Sequence, residues 1–119
     1  MKKIGFIGAY DKTDLIIYIA KILTVLNQKV LVIDATINQK ARYVVPVINP
    51  TTEYVTEYED IDIAVGFQNV EGIKRYIGLS EEQELEYDII LIDTDNYIGF
   101  EGFKLNEAIK NYFVTSFDA

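Results

Sequence analysis

The chain has 119 residues, half of them hydrophobic, with two prolines and seven glycines, which fits one domain with a real core and excludes a disordered or fibrous chain. It contains no cysteine and no histidine, so disulfide frameworks, zinc sites, thiol catalysis, histidine bases and Ser-His-Asp chemistry are ruled out. A net charge of -8, from 11 basic and 19 acidic residues, opposes direct nucleic-acid binding, which needs clustered Lys and Arg, and opposes anionic membranes.

The first predicted element is a short apolar strand, Lys3 to Gly8, followed by the turn Gly8-Ala9-Tyr10-Asp11. Leu15 to Leu26 is apolar nearly all round, with a thin polar stripe at Asp14, Lys21 and Gln28; that is the pattern of a helix buried on most faces. The same run is too short for a membrane span and carries Lys21. Asn27-Gln28 ends it, and Lys29 to Asp34 is continuously apolar and β-branched, as strands buried on both faces are. Strand, helix and strand within about thirty residues predict a βαβ unit with parallel strands.

Further along, two β-rich runs, Tyr43 to Ile48 and Glu53 to Thr56, flank Asn49-Pro50-Thr51-Thr52 and predict a hairpin or loose excursion. A strand is predicted over Ile61 to Gly66, and a short helix over Val70 to Ile77. Glu81 to Glu86 reads as a solvated charge run, and Tyr87 to Asp93 is the clearest strand in the chain. A helix over Phe103 to Lys110 and a strand over Tyr112 to Ser116 complete the list. Met1-Lys2-Lys3 leads into a run too short and too glycine-broken for a signal peptide, so a cytoplasmic protein is expected.

Three segments recur in a recognisable order: Ile4 to Thr13 (strand, Gly-rich turn, Lys-Thr, helix), Lys29 to Thr36, and Tyr87 to Thr94. Together they resemble the deviant Walker A loop, the Asp-bearing second strand and the Walker B strand of the ParA/MinD family of P-loop ATPases. That family includes TadZ/CpaE-like proteins, which help position pilus and secretion machinery. The resemblance implies an α/β fold with a mostly parallel sheet, flanking helices and a P-loop NTPase-like three-layer sandwich. It spans residues 1–119 as one domain, a minimal version or the N-terminal part of a longer protein. It implies nucleotide contacts from Gly8, Lys12 and Thr13, and magnesium contacts from Thr13, Asp34 and Asp93, with ATP and Mg2+ as the cofactors if the site is retained.

The departures are as informative. A full loop, G-x-x-x-x-G-K-[ST], brings backbone N–H groups to the phosphates without side chains in the way. Here Phe6 and Asp11 hold the two glycine positions, and Ile7 replaces the family's extra lysine. A carboxylate at position 11 faces the place where phosphate docks; two unit charges at 4 Å repel by roughly 1 kcal/mol in water and about 4 at an effective dielectric of 20. Asp11 has an ordinary use as an N-cap, with Asp14 as an acidic first-turn residue. Asp34, Asp93 and Asp95 could alternatively hold magnesium without nucleotide.

The expected function is a degenerate ParA/MinD-like module that acts through a protein partner or as a homodimer, with no catalytic residue assigned and no cofactor required. A partner surface is expected around Tyr43, Tyr54 and Tyr58, because tyrosine is enriched in binding hot spots. A weak ATP-driven dimerisation switch is the alternative. A receiver-like signalling domain is a further one, although the first strand here ends in Gly8-Ala9-Tyr10 where that chemistry wants an acidic pair.

Overall fold

The structure, a computed structural model, describes residues 2–36 and 53–114. In chain order the elements are β1 (Lys2–Ile7), α1 (Thr13–Val25), β2 (Val30–Asp34), β3 (Tyr54–Tyr58), β4 (Ile61–Val65), α2 (Val70–Ile77), β5 (Ile89–Thr94), α3 (Tyr97–Gly102), a 3-10 turn (Leu105–Glu107) and β6 (Lys110–Phe113). They form one six-stranded sheet in the order β3-β4-β2-β5-β1-β6. Only β3 runs antiparallel to its neighbour.

The sheet is buried in its middle, as its sequence demands. Successive side chains of a strand point to opposite faces, and β2 splits accordingly: Val30 and Val32 join one core cluster, Leu31 and Ile33 the other. In β5, Leu91 joins the first cluster, and Ile90 and Ile92 the second. Continuous apolar runs are what strands covered on both faces require. Helix α1 packs Ile16, Ile17 and Ala20 onto the first face, and α2 packs Ile73 onto the second. The protein is thus a small α/β fold with a mostly parallel sheet and helices on both sides.

Helix α2 covers the predicted range and carries its own stop and start signals. Asn69 Oδ1 accepts from the Gly72 N–H at 2.8 Å, and Gly78 ends the helix at φ 84, a left-handed conformation that glycine adopts without penalty.

Two expectations are corrected. First, the segment 103–110 is not one helix: α3 starts earlier, at Tyr97, because Asn96 Oδ1 caps the Gly99 N–H at 2.7 Å. The chain then breaks at Lys104, whose φ is 53. Second, the last strand starts at Lys110, two residues before the expected Tyr112, and runs to Phe113; pairing with β1 sets it, with Ile4 opposite Lys110 and Ile7 opposite Phe113, and residues 115 and 116 of the expected range lie outside the described residues. A hairpin outside the sequence-based expectations joins β3 to β4 through Glu59 and Asp60, whose φ values are 50 and 68. Two positive-φ residues between antiparallel strands make a primed two-residue turn. No Asn-Gly or Asp-Gly pair announces it, so the sequence signal was weak. The run Tyr43 to Ile48 and its Asn49-Pro50 turn lie outside the described residues.

Candidate functional site at the C-terminal edge of the sheet

The carboxyl ends of β1, β2 and β5 meet at one edge, where open α/β sheets place their ligands. Strand β1 is interior, paired with β5 on one side and β6 on the other. At its end Gly8 has φ 155, and a β-carbon there would collide with the Val114 carbonyl. The chain passes this narrow point and turns back into α1.

That turn delivers Lys12 to the interior. Its Nζ lies 2.7 Å from Asp93 Oδ1 and donates to the carbonyls of Gly8 at 2.7 Å and Tyr10 at 3.3 Å. Both residues of the ion pair are only 3% exposed. The ammonium is thus engaged by groups of the protein itself, in one ion pair and two hydrogen bonds to carbonyls. Asp11 Oδ1 accepts from the Thr13 N–H at 3.0 Å. Asp11 is not the N-cap that the sequence suggests: the N-cap of α1 is Lys12, which makes no side-chain cap hydrogen bond, and Asp11 stands one residue before it with its carboxylate on the first helical N–H.

Burial pushes the Asp93 carboxyl up to about 6. Lys12 pulls it down, and Asp34 and Asp95 push it up by like charge. Asp34 is the register partner of Asp93 on the adjacent strand. Its Oδ1 accepts from the Thr36 N–H at 3.0 Å and the Thr36 hydroxyl at 2.5 Å. Asn96 ties the two strand ends together by donating from Nδ2 to the Ala35 carbonyl at 2.9 Å.

Of the residues expected at a nucleotide site, Gly8, Lys12 and Asp93 come into direct contact, with Asp34 beside them. Thr13 heads α1, and its buried hydroxyl has no hydrogen-bond partner. Among the described residues no three carboxylates gather as a metal site. Asn96 is not singled out by the sequence reading, although an Asn directly before Tyr97-Ile98 is an N-cap signal. The tyrosine surface is also corrected. Tyr54 is 4% exposed and sits in the core. Tyr58 is half-buried against it, with the Lys21 ammonium 5.5 Å from its ring centre. Tyr43 lies outside the described residues.

Two hollows open at this edge. One, of about 220 Å³, lies between β2, β4 and α3 and is lined by Asp34, Thr36, Gln68 and Asn96 among others. The other, of about 450 Å³, lies beside Gly8 and Ala9 against Tyr97, Phe100 and Phe113. Among the described residues neither has a Lys or Arg in its lining. The first is smaller than the roughly 300–1,000 Å³ typical of small-molecule sites, and the second offers an apolar wall with Asp95 rather than a cradle for phosphate.

Fold and edge define a class: a small α/β protein with a mostly parallel six-stranded sheet and a buried Lys-Asp pair where its central strands end. No family model matches the chain, and neither the curated proteins nor the solved structures give a significant match. Among the described residues no helix is long and apolar enough to cross a membrane.

Proposed function

We propose that this chain is a ParA/MinD-like module whose phosphate site is filled by its own side chains, and that it works by protein contact without turning over ATP. The observation that carries this reading is the state of Lys12. Its ammonium forms an ion pair with Asp93 and hydrogen bonds to the Gly8 and Tyr10 carbonyls, and at 3% exposure it offers little open surface to a triphosphate. Binding ATP would require breaking a buried ion pair, which costs several kcal/mol when one charge is left behind, about 3–5 in measured cases. It would also displace Asp11 from the helix terminus where phosphate docks.

Exposed Tyr10, Tyr97 and Ile98 around the same edge support contact with protein rather than with an anion. A pilus, secretion or partition assembly is the setting that the family resemblance suggests. Isothermal titration with ATP and Mg2+ tests the reading: no heat of binding is expected up to millimolar nucleotide, and a micromolar affinity would defeat it.

One observation favours a second reading, a weak nucleotide switch. The Thr13 hydroxyl is buried without a partner, at the position that the resemblance gives to magnesium. On that reading Thr13→Val abolishes a measurable Mg2+-ATP affinity; on the first there is no affinity to lose.

A further inference from the structure

The sheet face that carries α1 is only partly covered. Beside the helix, β1 and β6 leave an apolar groove of about 440 Å³. Ile4, Phe6 and Tyr112 form its floor, and Leu15, Ile19 and Leu23 of α1 form one wall. The floor is firm, since Phe6 and Tyr112 stack with ring centres 5.5 Å apart. Among the described residues none that lines the groove is charged.

Next to the groove stands a ridge. Leu15, Tyr18, Ile22 and Val25, at i, i+3, i+7 and i+10, all lie on the outside of α1, with Val25 81% exposed. This three-four spacing is the one by which helices pack lengthwise. A helix that is apolar on its outer face as well as its inner one is ordinarily buried on both. Here nothing among the described residues covers the outer face.

We propose that the occupant is a second copy of this chain. Related by a two-fold axis across α1, the ridge of each copy enters the groove of the other, so one patch is satisfied by itself in an isologous contact. The two helices then run antiparallel between two sheets, and Val25 of each copy comes beside Phe113 of the other. The size fits. Seven side chains on this face (Leu15, Tyr18, Ile22, Val25, Leu26, Tyr112 and Phe113) are between 41% and 81% exposed. Covering them removes on the order of 700–800 Å² per copy, close to the ~800 Å² a side of a standard specific interface. With no charge in the groove, closure strands no buried ion.

This inference names a partner for the protein-contact reading. It rests on the α1 face, not on the strand ends, so nucleotide binding and monomeric behaviour sink different claims. Sedimentation velocity of the full chain, from micromolar to near-millimolar, is expected to show a monomer-dimer equilibrium. Because each copy carries -8, added salt is expected to strengthen it by screening like charge. Tyr18→Glu and Phe113→Asp, both at exposed positions, are each expected to weaken the dimer at least about tenfold while leaving the circular dichroism unchanged.

As a check that does not depend on those variants, the chain has no cysteine. A mixture of Val25→Cys and Phe113→Cys chains is therefore expected to cross-link as a mixed dimer under mild oxidation. A chain that stays monomeric at every concentration overturns the proposal and leaves the groove to a different partner. A dimer that survives both ridge and groove variants, or that gives no mixed cross-link, overturns it equally.

Discussion

Lys12 and Asp93 make the chemistry of this protein a matter of internal electrostatics. A buried ion pair contributes little net stability, but removing one partner strands the other. Lys12→Met is therefore expected to lower stability by about 3 kcal/mol in urea melts, and Lys12→Met with Asp93→Leu to recover most of that loss. A conventional phosphate lysine, free to reach its ligand, would show a small stability effect and a large binding effect. The pH dependence follows from the raised carboxyl. Burial lifts Asp93 from 3.8 to about 6, so the folded protein holds that proton more tightly than the unfolded chain does. Its favourable contribution is fully present below pH 4 and is lost as pH rises to about 6, a fall of roughly 3 kcal/mol. Asp93→Asn is expected to remove that component, measured as the difference between wild-type and variant melts across the same window.

At the scale of elements, the least conforming piece is the β3-β4 turn. Glu59 and Asp60 both take positive φ, a conformation costing a non-glycine residue roughly 1–2 kcal/mol. Asp60→Gly is expected to raise stability by about 1 kcal/mol, read from the thermal midpoint. Glu59 is less replaceable, since its carboxylate meets Lys21 of α1 at 2.6 Å and holds the hairpin to the helix. The strand and helix interiors were legible because they follow simple periods. Val30 to Ile33 is apolar throughout, and α2 has a capping Asn and a terminal Gly. The stretch after β5 was not legible, because its outcome depends on which of several Asn and Gly residues caps a helix. Asn96 wins by bonding both the Gly99 N–H and the Ala35 carbonyl, and the second of those partners is 61 residues away.

For the molecule as a whole, the arrangement of strands decides what the edge can do. Strand β5 lies between β1 and β2, which sets Asp93 opposite both Phe6 and Asp34 and within reach of Lys12. The fold thus places a buried Lys-Asp pair at the edge where open α/β sheets hold their ligands. The same arrangement leaves an apolar groove over β1 and β6 beside α1, separate from the edge that holds Lys12 and Asp93.

The sequence by itself determined the fold class, the strand and helix interiors, and the absence of any cysteine or histidine chemistry. Those properties are local or compositional: period, β-branching, capping residues, residue inventory. Only the tertiary structure decided the partner of Lys12, the burial of Tyr54 and the exposure of the α1 ridge. Each of these depends on which side chains the sheet order brings together across the chain. A lysine reads the same in sequence whether it faces a phosphate or a buried carboxylate, and the burial that separates the two belongs to the packed whole.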